Sequence, residues 1–313
     1  MNLELIKKIP LTDIENIFTA KAFNENKCLF LCDDKERKYK LLYTTLDESV
    51  LIDLPYNEKS YSVESNPVLF SVNHHFGIVK SAEDLLLFDD QSTAPQTVGI
   101  QNRQILPSRL RLLYQSPVND DDILPICFEK DVFMGQARDI AFLQIDTENL
   151  TACWQSRTSI DSSSLIHHNY PDYPPKLDSI LLKDNEMYVF TSGGKITSVP
   201  KWGMDYYACL RCNTNGAVAE ILLDSGNLHA IDAKKRGVNG VFTSSQKYLI
   251  LTPVFQNDEW KGKQRIFSFA DRAISEVVFP RGFGKYARLI DHHGDLFWVY
   301  LFDNKEIAAC RLK

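Results

Sequence analysis

The chain carries one hydrophobic pattern six times: a short apolar run, a small polar turn and a second apolar run. Successive turns are 47 to 61 residues apart, and the step from the last turn through the C-terminus to the first is 45 residues. A repeat that nearly closes on itself predicts a ring of equivalent β-sheets. The copies are AFNENKCLFL (22–31), LFSVNHHFGIV (69–79), LPICFEKDVFM (124–134), ILLKDNEMYVF (180–190), VFTSSQKYLIL (241–251) and RLIDHHGDLFWVY (288–300). Their turns fall near Asn24, Asn73, Lys130, Asp184, Ser245 and His292.

Each hairpin is followed by a third and usually a fourth β-rich run, as in residues 38–54, 141–154, 206–223 and 265–279. Four antiparallel strands per repeat is the pattern of a propeller blade. The last repeat ends at residues 305–313 after three strands, whereas LELIKKI near the N-terminus has no place in the repeat that follows it. We therefore predict an all-β, six-bladed β-propeller whose N-terminal strand closes the last blade. Seven blades is the alternative.

The bulk composition is that of one globular unit, and we expect a single domain spanning residues 1–313. The formal net charge of −6 leaves no basic surplus to neutralise phosphates, so we expect no nucleic-acid partner. The N-terminus lacks the features of a secretory signal, and no apolar window is long enough to cross a bilayer. Seven scattered cysteines fit a reducing compartment. The predicted location is the cytoplasm, with no membrane partner.

Three connections are unusually long for a compact ring: residues 102–122, 157–176 and 192–205. Long connections inside a compact domain tend to be functional. The first two are predicted to link successive blades, and the third to join the second and third strands of one blade. In a propeller, loops of these two kinds share one rim. We therefore expect all three on the same rim, where they form a binding surface.

The polar and aromatic residues of these loops are the candidate contacts for a protein partner. Carboxylate runs in loops can steer a basic partner, and exposed Trp and Tyr are common anchors of interfaces. His167-His168 is the one histidine pair that lies in a long loop, and we expect it to supply contact residues. The predicted partner-binding residues are Asp120, Asp121, Asp122, His167, His168, Tyr170, Tyr173, Trp202, Asp258, Glu259 and Trp260.

The sequence contains no local signature of catalysis, and we expect no catalytic residue, no metal ligand and no cofactor. Adjacent histidines in a strand point to opposite faces, so they rarely supply two ligands to one metal ion. Cys209 and Cys212 match C-x-x-C but lie in a predicted strand, where positions i and i+3 also face opposite ways. The glycine-lysine segments at 193–195 and 282–285 lack the spacing of a phosphate-binding loop.

In its repeat pattern the chain resembles a β-propeller over nearly its whole length, without the blade marks of WD-repeat, kelch or sialidase propellers. In size, acidity and lack of an export signal or catalytic motif, it also resembles the immunity proteins that bacteria pair with secreted toxins. That resemblance implies a non-enzymatic protein-binding propeller that binds a basic domain of a toxin and neutralises the toxin by covering its active site.

Two other function classes stay open at this point. A propeller hydrolase, lyase or lactonase would place polar residues from several blades around the mouth of the central channel. A carbohydrate-binding propeller would repeat a shallow aromatic pocket in several blades, and the loops of this chain differ too much from one another to favour it. Several carboxylates or histidines converging at the channel mouth would favour the enzyme.

Overall fold

A computed structural model describes residues 1–23, 26–57, 68–89, 94–107, 110–114, 117–130, 139–160, 176–197, 201–224, 238–253, 264–284 and 286–313. These ranges contain 24 β-strands and one short 3₁₀ turn at Arg103–Ile105. No helix in the described ranges is long and apolar enough to cross a membrane.

The first twelve strands are β1 (Leu3–Pro10), β2 (Asn16–Ala22), β3 (Lys27–Asp33), β4 (Lys38–Thr45), β5 (Ser49–Asn57), β6 (Val68–Val72), β7 (His75–Val79), β8 (Asp84–Asp89), β9 (Gln96–Gln101), β10 (Leu110–Tyr114), β11 (Ile123–Lys130) and β12 (Asp139–Asp146). The second twelve are β13 (Thr151–Ser159), β14 (Lys176–Lys183), β15 (Glu186–Thr197), β16 (Lys201–Asn213), β17 (Val218–Asp224), β18 (Val238–Phe242), β19 (Tyr248–Pro253), β20 (Arg265–Ser268), β21 (Ala273–Glu276), β22 (Ala287–His293), β23 (Leu296–Leu301) and β24 (Glu306–Leu312).

The described strands form four four-stranded sheets and one eight-stranded sheet. Strands β2–β5, β14–β17 and β18–β21 are antiparallel meanders that follow the order of the chain. The eight-stranded sheet contains two such meanders, β6–β9 and β10–β13. A short parallel ladder joins them, with Ala152 opposite Ile100 and Cys153 opposite Gln101. The fourth four-stranded sheet has the order β1-β24-β23-β22 and combines both ends of the chain.

Each meander contacts the next, and the last contacts the first. The contacts join β2 to β6, β6 to β10, β11 to β14, β14 to β18, β19 to β22 and β22 back to β2. Most of these are contacts between the first strands of successive meanders, which therefore line the middle of the assembly. The chain is an all-β propeller, as the repeat pattern predicts.

The two ends of the chain close the ring. β1 pairs antiparallel with β24 from Leu3 opposite Leu312 to Pro10 opposite Glu306, with one irregularity between Leu5 and Lys7. The Leu3 backbone N–H also donates to the Val278 carbonyl oxygen of the preceding sheet at 3.0 Å. The prediction that the N-terminal strand supplies the outer strand of the last sheet is confirmed.

The apolar core is divided among the sheet interfaces. Six clusters of buried side chains lie in the described residues, one between each pair of successive meanders. Because side chains alternate along a strand, one strand serves two clusters. Cys209 and Cys212 of β16 thus pack into different clusters, whereas Cys28 and Cys32 of β3 share one, as their spacings predict.

The predicted position of the third hairpin is wrong. A turn was expected near Lys130, but residues 123–130 form the single strand β11, and the first strand of that meander is β10. The apolar residues of β11 are buried on both faces, because Leu124 and Phe128 pack into one cluster while Cys127 packs into the next. A strand buried on both faces has no polar alternation from which its place in the meander can be predicted. The first turn of this meander therefore precedes Ile123.

Close approach of two sheets limits the side chain at Gly240. A Cβ built at this position would lie 2.4 Å from the ring of Phe190, which belongs to the neighbouring sheet. The Ser179 hydroxyl donates to the Gly240 carbonyl oxygen at 2.8 Å and holds β14 against β18. The glycine is therefore required by the packing of two sheets and not by backbone conformation.

We expect Gly240→Ala to lower the free energy of unfolding by about 1–3 kcal/mol, because the added methyl group must displace a fully buried phenyl ring. Gly99→Ala is the matched control, since a Cβ there meets nothing within 4 Å. Its stability should stay within about 0.5 kcal/mol of wild type. Urea unfolding of the three proteins measures the difference. Equal midpoints for the two variants would contradict the described contact between β18 and Phe190.

Candidate binding site at the channel mouth

A cavity of about 490 Å³ opens where the first strands of the meanders end. We call it the mouth cavity. Its lining comes from the ends of β2, β6, β14, β18 and β22 and from the segment before β11, so every meander contributes. The lining residues are Lys21, Phe23, Ser71, Val72, Asn73, Pro117, Val118, Asp120, Lys183, Ser244, Ser245, Gln246, Lys247, His293 and Gly294.

The mouth cavity is basic although the chain is acidic. Lys21, Lys183 and Lys247 line it together with one carboxylate, Asp120, in a protein of formal net charge −6. Each lysine comes from a different sheet: Lys21 lies in β2, Lys183 ends β14 and Lys247 lies in the turn after β18. Three ammonium groups from distant parts of the sequence are thus brought to one opening.

Lys21 is the most buried of these lysines, with 2% of its surface exposed. Burial lowers the pKa of its ammonium group, and the negative charge of Asp291 opposes that shift. Within the described part of the chain, its ammonium group forms no ion pair within 4.0 Å and no hydrogen bond, so the charge of Asp291 compensates its burial only in part. Burying a charged group without such partners is unfavourable. Lys21 therefore reduces the stability of the fold.

Asp291 lies next to the cavity and ties three sheets together. Its carboxylate accepts hydrogen bonds from the backbone N–H groups of Ala22 at 2.7 Å, Ser244 at 2.8 Å and His292 at 2.7 Å. The Ser244 hydroxyl donates a fourth bond to the same carboxylate. Asp291 is 2% exposed. Buried carboxylates are tolerated when they are fully hydrogen-bonded, and this one joins the ends of β2, β18 and β22.

His292 supports the same region as a neutral ring. Its Nδ1 lies 2.7 Å from the Ser245 hydroxyl, and the Ser245 backbone N–H donates to the His292 carbonyl oxygen at 2.9 Å. The ring packs against Phe297 and Tyr248, with centroids 4.2 and 4.9 Å apart. Burial lowers the pKa of His292 to about 4. The histidine is therefore uncharged at neutral pH and acts in packing.

Gln246 reaches across the opening. Its side-chain Nε2 lies 3.4 Å from the Val118 carbonyl oxygen, and both residues line the mouth cavity. Gln246 belongs to the turn after β18 and Val118 to the segment before β11, so the contact joins two meanders that are separated by a third. It narrows the opening between them.

The acidic turn, residues 119–122, stands at the edge of the cavity and is held by hydrogen bonds. The Asn119 side-chain oxygen accepts from the backbone N–H groups of Asp121 at 3.1 Å and Ile123 at 2.8 Å. Gln144 donates to the Asp121 carbonyl oxygen at 2.7 Å. Asp120 and Asp121 are exposed. Two carboxylates are thus presented to solvent on an ordered backbone.

Asp122 supports the acidic turn from inside. It adopts a left-handed backbone conformation with φ of 59°, and the Asn73 side chain donates to its carboxylate at 3.3 Å. Burial raises the pKa of Asp122, the bond from Asn73 opposes the shift, and the charges of Asp146 and Asp121 add to it. Asp122 therefore links two meanders and is less available to a partner than Asp120.

The expectation that the long connections share one rim is wrong for the described part of the chain. Asp120–Asp122 lie in the first turn of their meander, at the mouth cavity, because β10 precedes them. Trp202 stands near the start of β16, opposite Ile196, at the other end of its sheet from Lys183. The remaining predicted contacts lie outside the described residues: His167, His168, Tyr170, Tyr173, Asp258, Glu259 and Trp260.

Reactive or metal-binding clusters are missing from the described ranges. No group of three or more His, Cys, Asp or Glu side chains is arranged there to hold a metal ion. All seven cysteines are free, and burial raises the pKa of Cys212 to about 11 and that of Cys32 to about 12. Thiols of this kind are poor nucleophiles at neutral pH.

Sequence reasoning missed Lys21, Lys183, Lys247 and Asp291. The three lysines share a signal, because each lies near the end of the first strand of its meander or in the turn that follows. Asp291 is a lone acid in the apolar run of β22. Equivalent positions in a ring meet at its mouth, so comparing the charges at these positions could have found the lysines.

Comparisons with known proteins support the fold alone. No protein-family model matches the chain, and no curated protein matches it. A structural genomics protein of unknown function from Bacteroides thetaiotaomicron is similar over 98% of this chain and 72% of its own, with 8% identity and a TM-score of 0.54. A chain of the mitotic checkpoint complex is similar over 99% of this chain and 96% of its own length, with 10% identity and a TM-score of 0.50. The Cps50 (Swd1) β-propeller domain of Myceliophteria thermophila is similar over 96% of this chain and 84% of its own length, with 9% identity and a TM-score of 0.42.

We expect Asp291→Asn to lower the free energy of unfolding by about 3 kcal/mol, because an amide cannot accept four hydrogen bonds and its NH₂ group would face donors. Asp295→Asn is the control, since Asp295 is exposed in the next turn and carries the same charge. Urea unfolding measures both. A loss of stability that is the same in the two variants would show that Asp291 does not hold the three sheets together.

Proposed function

We propose that the protein is a non-enzymatic binding propeller of the cytoplasm, one domain of six blades with the eight-stranded sheet counted as two. In our proposal it binds another protein and, as its most specific role, neutralises a secreted bacterial toxin by covering the toxin's active site. The observation that carries the proposal is the acidic turn, whose exposed carboxylates are held on an ordered backbone at the rim of the ring.

The order of the acidic turn matters for binding. A loop that is already fixed loses little conformational entropy when a partner arrives. Neighbouring exposed carboxylates also attract a basic surface over several ångströms and raise the association rate. Asp120 and Asp121 therefore suit a partner with a basic patch, such as the positively charged active-site surface of an enzyme that acts on nucleic acid.

The other predicted contact residues would form a second contact with the partner. Trp202 is at the other end of its sheet, so it cannot join Asp120 in one flat surface. We propose that His167, His168, Tyr170, Tyr173, Asp258, Glu259 and Trp260 contact the partner separately from the acidic turn. The acidic turn alone is sufficient to test whether the mouth rim docks a protein.

An enzyme is the second candidate, and the mouth cavity is the observation that favours it. A propeller hydrolase, lyase or lactonase would have its active site there, and the cavity collects Lys21, Asp120 and His293. A buried lysine whose pKa is lowered is a common nucleophile or base. Turnover of an ester or lactone that is lost in Lys21→Met would favour this candidate over the binding protein.

We expect Asp120→Asn with Asp121→Asn to slow association with a captured basic partner about tenfold at low salt, because steering by the acidic turn is lost. The partner would be captured on immobilised wild-type protein from lysates of related bacteria and identified by mass spectrometry. Association rates would then be measured at low and high salt, where wild type should slow toward the variant. The partner's own activity should fall on adding wild-type protein.

The matched control removes two charges from the opposite rim. Asp13→Asn with Glu83→Gln lowers the acidic charge by the same amount at exposed positions before β2 and before β8. Its association rate should stay within about twofold of wild type. Equal slowing in both double variants, or a rate that does not depend on salt, would contradict docking through the acidic turn.

A further inference from the structure

The three lysines of the mouth cavity form no close ion pair among the described residues, although the negative charge of Asp291 acts on Lys21. Elsewhere on the ring, lysines have carboxylate partners, such as Lys8 with Glu306 at 3.0 Å and Lys80 with Asp84 at 3.0 Å. Lys21, Lys183 and Lys247 have none within 4.0 Å in the described part of the chain. Asp120 is the one carboxylate in the lining, so lysines and aspartate together leave a formal charge of 3 − 1 = +2.

Lys21 distinguishes this cavity from an ordinary basic surface. A surface lysine keeps its ammonium group in water at little expense, whereas Lys21 is 2% exposed. A structural role would be served better by an apolar side chain, because neighbouring Ala22 and Phe23 are buried among apolar residues. A negatively charged ligand in the cavity would add to the counter-charge that Asp291 supplies only in part.

Neutral donors in the lining complete a site for oxyanions. Ser71 provides a hydroxyl group, and the NH₂ groups of Asn73 and Gln246, which donate to Asp122 and Val118, each carry a second N–H group. Hydrogen bonds from charged donors to phosphate or carboxylate oxygens are stronger than those between neutral groups. The cavity volume of about 490 Å³ falls in the range of small-molecule sites, about 300–1,000 Å³.

We propose that the mouth cavity binds a small molecule carrying phosphate or carboxylate groups, held by Lys21, Lys183 and Lys247. Asp120 faces the same cavity and disfavours a second anionic group on its side, so the charged end of the ligand lies toward the lysines. Phe23 and Val118 offer apolar contact to the rest of the ligand. This site requires no protein partner and is separate from docking by the acidic turn.

The test is isothermal titration of the full-length protein with three probes at constant ionic strength of about 0.1 M. The probes are inorganic pyrophosphate, citrate and a hexaglutamate peptide. Pyrophosphate and citrate distinguish phosphate from carboxylate chemistry, and the peptide represents an acidic protein segment. We expect saturable one-to-one binding of at least one of the two small probes.

Charge variants assign the binding to the cavity. Lys21→Met should weaken binding of the small probe by about tenfold or more, and Lys183→Gln and Lys247→Gln should weaken it by several fold. Asp120→Asn should strengthen it. Lys35→Gln is the matched control, because Lys35 is exposed in the turn between β3 and β4 and carries the same charge, and its affinity should stay within about twofold of wild type.

Thermal unfolding without probe separates binding from folding. Lys21→Met should melt at the same or a higher temperature than wild type, because it removes a charge whose burial is only partly compensated by Asp291. Four results would overturn the proposal: no binding of either small probe, tighter binding of the peptide, equal weakening by Lys35→Gln, or wild-type affinity in Lys21→Met. If Lys21→Met does not fold, wild-type affinity in both Lys183→Gln and Lys247→Gln would also overturn it.

Discussion

Pairing of the first strand with the last is the constraint on which the rest of the structure depends. Without β1, the outer edge of β24 would expose a row of unpaired backbone groups, and Leu3 and Ile9 would leave the apolar clusters on either side of that sheet. Because each sheet packs between two neighbours, loss of one interface opens the ring. The first strands could then no longer end around one common opening, and the mouth cavity exists only in the closed ring.

Hydrogen bonds between polar groups fix the positions of the strand ends, which apolar packing alone does not determine. The six clusters hold neighbouring sheets face to face, but apolar packing is not directional and does not fix where strand ends lie. At the mouth, Asp291 fixes the ends of three sheets through hydrogen bonds, and the bond between Asn73 and Asp122 joins the two meanders of the eight-stranded sheet. The same region contains Lys21, whose burial opposes folding. A residue such as Lys21, which lowers the stability of the fold and lies among residues that raise it, is typical of binding sites.

Much of the fold could be predicted from the sequence, and little of the site. The hairpin repeat follows from local alternation, and the pairing of the two chain ends follows from a strand left over near the N-terminus and a last repeat that is one strand short. The predicted turn of the third hairpin was wrong because β11 is buried on both faces. Its apolar run looks the same whether it is the first or the second strand of the meander. The site depends on Lys21, Lys183 and Lys247, which are far apart in the chain and meet only after the ring closes. No local pattern marks such a set.

The most direct test of closure is amide hydrogen exchange of residues 3–10 followed by mass spectrometry. If β1 is the outer strand of a closed ring, these amides should exchange as slowly as those of its partner strand, residues 306–312, and both should lose protection in one cooperative event. Exchange of residues 3–10 at the rate of an unstructured peptide, with residues 306–312 still protected, would contradict the closed ring and the mouth cavity that depends on it.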